Sequence, residues 1–258
     1  AYGAFQKYPL LRGSLTAVVP DEIPLSEAVV LPLSISTAAA GLYTEIGLNL
    51  DLPGDGTFSF AGGPDKKPTL LVWGGASSVG SSVIQLAVVS GYTVVTTASL
   101  SNFDCVRKLG ATSVADYHEP DVTTKLIDFL GDTDIVGAYD AIGSEITVRQ
   151  NAAVLHALGG GKIVSVGKAP EVPHKDVEIV RISSSIIDDQ EPKIAKENWG
   201  EYVPGALASG ILVPEPKPLV TGHGLSDVQE GLDKQKEGVS ASKIVIELHP
   251  KKAVPATQ

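Results

Sequence analysis

Six consecutive residues, Gly75-Ala76-Ser77-Ser78-Val79-Gly80, lie between a short apolar run, Leu70 to Trp73, and a stretch of helical pattern from Ser81 to Ser90. A glycine-rich turn that leaves a buried strand and opens a helix aims free backbone N–H groups, and the positive end of the helix dipole, at an anion. Gly75 permits the tight turn and Gly80 lets the helix approach the sheet. The middle position departs from G-x-G-x-x-G because it is Ser77, whose Cβ is small enough to sit beside a diphosphate and whose hydroxyl can donate to a phosphate oxygen. A nucleoside-triphosphate loop fits worse, since Ser81 and Ser82 follow Gly80 where that pattern needs lysine. A hydrolase nucleophile elbow fits worse too, because Val79 stands where G-x-S-x-G needs its last glycine. The same six residues also suit a βα turn that binds nothing.

The end of the next strand bears on which dinucleotide such a loop would hold. A site for NAD places a carboxylate about 20 residues past the glycines, on the ribose hydroxyls. Here the stretch reads Thr96-Thr97-Ala98-Ser99-Leu100-Ser101-Asn102, with no acid. Neutral hydroxyl and amide donors accept a 2′-phosphate that an acid would repel, so NADPH is favoured. Arg107 and Lys108 follow a helical turn or two later. Ser99 or Ser101 can equally be a helix N-cap, and both readings can hold together.

Around these residues the sequence alternates strand and helix. Strands are expected at Leu70–Trp73, Tyr92–Thr97, Ser113–Tyr117, Ile135–Ile142 and Lys162–Val166; helices at Ser81–Ser90, Asn102–Leu109, Asp121–Leu130 and Ser144–Leu158, with glycines at several of their ends. Five strands alternating with helices are the pattern of an α/β fold with a doubly wound parallel sheet, the Rossmann arrangement. Before it, a turn at Pro20–Pro24 precedes a small-residue helix running to about Ile46, and Leu52–Pro68 reads as a loop. After it, Val177–Ile187 is β-rich and could extend the sheet edge. Pro192–Leu212 and Leu225–Lys236 read as helices, and Lys243–Leu248 as a last strand.

Composition narrows the function classes. The formal net charge of the 258 residues is -10, which argues against nucleic-acid or anionic-membrane binding through basic patches. An anionic cofactor remains compatible, because local dipoles decide that contact. One cysteine, Cys105, allows no intramolecular disulfide and no cysteine-rich zinc site. The five histidines, His118, His156, His174, His223 and His249, show no pair at zinc-ligand spacing, so no metal is expected. No apolar run reaches the roughly 18 residues of a membrane span, and no basic-then-apolar leader opens the sequence as given. A cytoplasmic location is expected. The chain starts at Ala1 and has no methionine, which reads as a fragment or a processed form.

Several stretches together resemble the zinc-free medium-chain dehydrogenase/reductases, the quinone and enoyl reductases, including the fungal trans-acting enoyl reductases. The resemblance rests on Val72 to Gly80 followed by Gln85-Leu86-Ala87, on Leu31-Pro32-Leu33 with Thr37 to Leu42, and on Lys108-Leu109-Gly110-Ala111 with Asp116-Tyr117. It continues through Asp140 to Gly143, Gly161 to Gly167 and Ser242 to Ile246, so it covers nearly the whole chain. It implies that residues 36–213 form the NADP-binding Rossmann domain. Residues 1–35 and 214–258 would be parts of a GroES-like catalytic domain whose N-terminal portion, roughly a hundred residues in the family, lies outside this sequence. The implied cofactor contacts are Ser77, Ser78 and Val79, flanked by Gly75, Ala76 and Gly80, at the pyrophosphate. Ser99, Asn102 and Tyr117 would hold the 2′-phosphate, and Thr37 would lie near the nicotinamide. Gly143 and Gly167 would lie where the cofactor crosses the strand ends, and Lys243 would approach from the last strand. A packed helix residue and a strand-end aromatic are equally good readings of Thr37 and Tyr117. The stretch Ser183–Gln190, with Asp188 and Asp189, departs from the family's glycine-rich edge.

The activity this implies is NADPH-dependent reduction of an activated C=C, in an enone or enoyl thioester, or of a quinone, without zinc. No proton donor is identifiable: none of the seven tyrosines has a lysine four residues on, as short-chain reductases require. The alternatives are a non-catalytic NADPH-binding sensor or partner subunit, and a carbonyl reductase of the same family. A small-molecule substrate and a possible homodimer complete the expectation.

Overall fold

The computed structural model describes residues 3–53 and 68–248. In chain order it has helices α1 (Leu25–Ala28) and α2 (Pro32–Tyr43), then strand β1 (Pro68–Trp73), α3 (Ser78–Val89), β2 (Thr93–Ala98), α4 (Phe103–Lys108), β3 (Ser113–Asp116) and α5 (Val122–Leu130). There follow β4 (Asp134–Asp140), α6 (Glu145–Ala157), β5 (Gly161–Ser165), β6 (Val177–Arg181), α7 (Ile186–Asp189), α8 (Pro192–Ala195) and α9 (Val203–Ser209). The chain closes with β7 (Lys217–His223), α10 (Val228–Glu237) and β8 (Ser242–Glu247).

β1 to β6 form one parallel sheet in the order β3-β2-β1-β4-β5-β6. Strand order therefore reverses between β1 and β4, and the loops leaving their C-terminal ends open the crevice where doubly wound sheets bind ligands. Because successive strand residues face opposite ways, an all-apolar strand must be covered on both sides. Leu70 and Val72 join the core on one face with Tyr139 and Val164, while Leu71 and Trp73 join the other with Ala138 and Ile163.

α2 lies on the first face. Its small residues let it approach closely: a Cβ on Gly41 would come 2.3 Å from the ring of Tyr139. The buried Tyr139 hydroxyl donates to the Thr37 carbonyl at 2.7 Å, and burial holds its pKa well above the ordinary tyrosine value. Ser82 of α3 donates to Ser34 at 2.8 Å, and the indole N–H of Trp199 donates to Ser36 at 3.0 Å. α2 is thus pinned to the sheet, to α3 and to the π-helical turn Lys196–Tyr202.

The second sheet is a parallel pair, β7 and β8, connected through α10. Its place is set by α3. Ser81 and Gln85, one helical turn apart on the same face, reach the chain that leads into β7. Ser81 Oγ donates to the Glu215 carbonyl at 3.1 Å. Gln85 exchanges two hydrogen bonds with Val213, of 3.2 and 2.9 Å. At the other end of the chain, Arg12 and Ser14 bond the α7 carboxylates, Arg12 to Asp188 and Asp189 and Ser14 to Asp188. The Ser183–Gln190 stretch, unusual in sequence, here anchors the N-terminal segment.

Several expectations are corrected. The helix after the glycine loop starts at Ser78 rather than Ser81, because Ser77 is its N-cap. The β-rich stretch from Val177 does extend the sheet edge, as β6, but its end is helical, with Ile186 and Ile187 in α7. The long N-terminal helix breaks at Val29–Leu31, before Pro32 at the first turn of α2. β7 falls in a stretch the sequence reading assigned to no element; its residues Lys-Pro-Leu-Val-Thr-Gly-His carry little apolar alternation and are mostly exposed. By length and composition alone Leu25–Tyr43, in which an 18-residue window has mean hydropathy 1.5, would be long and apolar enough to cross a membrane. Two thirds of that window is buried within the protein, where it packs as core. Most of the expected loop at Leu52–Pro68 lies outside the described residues, and Pro68 itself begins β1.

Candidate functional site

The loop after β1 is built by contacts that tolerate no side chain. Gly74 has φ +81°, a left-handed conformation open to glycine. Its N–H donates to Thr97 Oγ1 at 2.9 Å, and the Gly75 N–H donates to the Thr97 carbonyl at 2.9 Å. A Cβ on Gly75 would come 2.3 Å from Thr96 Oγ1, and one on Gly80 would come 2.1 Å from the Gly74 carbonyl oxygen. The hydroxyls of Thr96 and Thr97 are therefore engaged inside the fold; Thr96 also donates to the Val72 carbonyl at 2.7 Å. Ser77 Oγ accepts from the Gly80 N–H at 3.0 Å, which caps α3 and leaves its own proton free to donate.

Lys243 arrives from β8. Its Nζ donates to Ser78 Oγ, in the first turn of α3, at 3.1 Å. Partial burial lowers its pKa from the ordinary lysine value. An ammonium placed at the positive end of a 12-residue helix is electrostatically unfavourable, and among the described residues no carboxylate pairs with it. Two positive features converge on one spot, the arrangement that favours an anion.

The crevice between the two sheets holds about 1340 Å³. Its lining includes polar residues, Ser77, Ser78, Ser99, Asn102 and Lys243, and apolar ones, Leu25, Val29, Leu33, Leu225 and Leu232. Ala76 and Tyr117 also line it. Asn102 Nδ2 donates to Ser99 Oγ at 2.9 Å and to Ser240 Oγ at 3.0 Å, so the β2 end and the lead-in to β8 are joined across the crevice. Ser240, invisible to motif reading, comes from a loop with no sequence signal of its own. Tyr117 is exposed, and its ring lies tilted against His118 with 4.2 Å between centroids.

Thr37 does not line the crevice. It is buried, and its hydroxyl donates to the Leu33 carbonyl at 2.6 Å, the packed-helix reading. Gly75, Val79 and Gly80 shape the loop from behind. Gly143 and Gly167 meet each other: a Cβ on Gly167 would come 1.9 Å from the Gly143 carbonyl oxygen. Close packing of the β4 and β5 exit loops already accounts for both glycines.

Asp140, at the end of β4, holds the loop that carries Ile142 into the crevice. It is fully buried and accepts from the N–H groups of Ile142 and Gly143 at 3.0 and 2.9 Å and from Thr147 Oγ1 at 2.7 Å. Burial raises its pKa, and the three donors oppose that rise. Asp140→Ala would orphan the Ile142 and Gly143 N–H groups and leave Thr147 Oγ1 only its Ser144 partners. The expected cost is about 2 kcal/mol, a drop in Tm of roughly 4–8 °C readable by thermal melting, with Asp140→Asn falling between.

Among the described residues, the one grouping of three His, Cys, Asp or Glu side chains able to share a metal ion is His156, His174 and Asp176. His156 lies in the last turn of α6 and Asp176 precedes β6, so this group sits at the edge of the sheet opposite the crevice.

The chain can be set beside known proteins. The domain family described as zinc-binding dehydrogenase matches residues 78–201. The trans-enoyl reductase himH of Aspergillus japonicus is 40% identical over 245 residues, which are 95% of this chain and 68% of that protein. The CurK enoyl reductase structure superimposes with TM-score 0.66 at 19% identity, covering 88% of this chain and 64% of that one. A mycobacterial protein solved in complex with NADPH superimposes with TM-score 0.68 at 22% identity, over 95% of this chain and 71% of its own length. The chain thus spans about two thirds of the length of these relatives. With its sheet order, its glycine-bounded loop and this degree of identity, the chain belongs to the medium-chain dehydrogenase/reductase family and is an oxidoreductase of that family.

Proposed function

We propose that the crevice binds NADPH and that the protein reduces an electron-poor, largely apolar acceptor, an enone, an enoyl thioester or a quinone. The observation that carries the reading is the convergence of Lys243 and the α3 N-terminus, where Lys243 Nζ meets Ser78 Oγ. Ser77, Ser78 and Lys243 would hold the pyrophosphate. Ser99 and Asn102, with Ser240 beside them, would meet the 2′-phosphate. When bound, NADPH supplies the hydride. The chain's own part would be to orient the reactants, with the apolar lining residues Leu25, Val29 and Leu33 available to cover an apolar acceptor. The trans-enoyl reductase relative and the neighbour solved with NADPH support the choice of acceptor and cofactor.

The test is a titration with NADPH and with NADH followed by nicotinamide fluorescence, then NADPH consumption with an enone, an enoyl thioester, a quinone and an aldehyde. Tight NADPH binding and turnover of one of the first three is the expected result. Binding without turnover of any acceptor would make the chain a sensor or partner subunit. Turnover of the aldehyde alone would make it a carbonyl reductase, and absence of binding would overturn the reading. Asn102→Asp would put a carboxylate against the 2′-phosphate. It is expected to shift the preference from NADPH toward NADH by about tenfold, measured as the ratio of the two dissociation constants.

A further inference from the structure

The last turn of α6 and the lead-in to β6 meet at the sheet edge far from the crevice. α6 is followed by Gly159-Gly160-Gly161, all with positive φ, the last of which begins β5. The Gly161 N–H donates to the Asp176 carbonyl at 2.9 Å, and a Cβ on Gly160 would come 2.4 Å from that same oxygen. The glycine turn therefore clamps the segment carrying His174 and Asp176 against the end of α6. His156 Nδ1 stands 3.0 and 2.9 Å from the two Asp176 carboxylate oxygens, and the rings of His156 and His174 stack with centroids 4.2 Å apart. One ligand atom from each of the three residues lies within 4.8 Å of the others.

We propose that His156, His174 and Asp176 form a site for a divalent transition-metal ion of the zinc type. Two imidazoles and one carboxylate are a donor set suited to such ions rather than to calcium or magnesium, which take oxygen ligands. Zinc bonds of about 2.0–2.2 Å at tetrahedral angles separate a nitrogen and an oxygen ligand by about 3.4 Å. The His156–Asp176 pair needs to open by only a few tenths of an ångström. Both side chains are exposed, so small torsional adjustments suffice to bring the donors in, and water would complete the shell. Exposed Lys175 and Glu178 are the nearest charges in sequence, of opposite sign. Two other surface histidines face a carboxylate, His118 with Asp116 and His223 with Glu247; neither belongs to such a grouping of three. The site joins a helix end to a strand start. A bound ion would therefore stabilise the fold rather than take part in chemistry at the crevice.

Isothermal titration of the chain with zinc sulfate, in a buffer that does not chelate, tests this. The expected result is one ion per chain, with a rise in Tm of about 5 °C at saturation. His156→Ala and His174→Ala would each weaken binding at least about tenfold, and His223→Ala would leave it unchanged. Thermal melts without metal establish that each variant folds. Equal affinity in the His156→Ala/His174→Ala double variant, or no saturable binding to the unmodified chain, would overturn the proposal and leave an ordinary histidine–carboxylate pair.

Discussion

Gly80→Ala is expected to weaken NADPH binding by about 100-fold or more and to lower Tm by roughly 4–8 °C. The new Cβ would stand 2.1 Å from the Gly74 carbonyl oxygen, 2.8 Å from the Gly74 carbonyl carbon and 2.9 Å from Gly75 Cα. These are backbone atoms and cannot swing aside as the tip of a long side chain can. Either α3 retreats from the loop or the loop opens. Each movement displaces the N–H groups that would face the pyrophosphate and pulls Ser78 from Lys243. Gly205→Ala in α9 is the control, because a Cβ there meets nothing within 4 Å. In a helix interior that change is expected to leave binding intact and to stabilise the fold slightly, by up to about 1 kcal/mol. Fluorescence titration and thermal melting read both variants. Full affinity in Gly80→Ala would mean that the loop does not carry the cofactor.

The legible part of this protein is the part governed by local rules. Leu70–Trp73 must be a strand buried on both faces, and the glycines at 74, 91 and 110 mark left-handed turns that other residues avoid. The sheet could therefore be read strand by strand, with element ends off by a few residues where capping decided them; α3 begins three residues early because Ser77 caps it. What stayed hidden depended on distant partners. β7 has no apolar alternation, since it lies in a two-stranded sheet with much of its surface in solvent. Its position over the loop comes from Ser81 and Gln85 gripping Val213–Glu215, contacts more than 120 residues apart in sequence. The Asn102–Ser240 bond and the His156–His174–Asp176 group are long-range in the same way. Thr37 and Gly143 were nominated by resemblance. Their local geometry in this chain is explained by packing, through the Leu33 carbonyl and through Gly167.

Lys243→Ala is expected to weaken NADPH binding by about 10- to 100-fold, the range for losing a hydrogen bond to a charged group, while leaving the cofactor-free protein as stable or more so. The two effects differ in sign for one reason. Without cofactor, the ammonium is partly buried, has only Ser78 Oγ within hydrogen-bond reach among the described residues, and sits at the positive end of α3. Removing it relieves a desolvated, unpaired charge; with a diphosphate present the same charge gains its partner. The lysine pKa is lowered in the folded chain, so between that lowered value and the ordinary 10.5 the unfolded state binds more protons. Stability of the cofactor-free protein should therefore gain from this group as pH rises through the window. Affinity for NADPH should fall over the same window, because the ammonium that would meet the diphosphate loses its proton. Lys243→Arg keeps the charge at all these pH values, and its affinity should not fall there. Titrations at several alkaline pH values, paired with melts of the free protein, separate the two trends. If the affinity of the unmodified chain stayed flat through the window, or if Lys243→Ala bound NADPH as tightly, Lys243 would be a packing residue whose ammonium makes no contact with the cofactor.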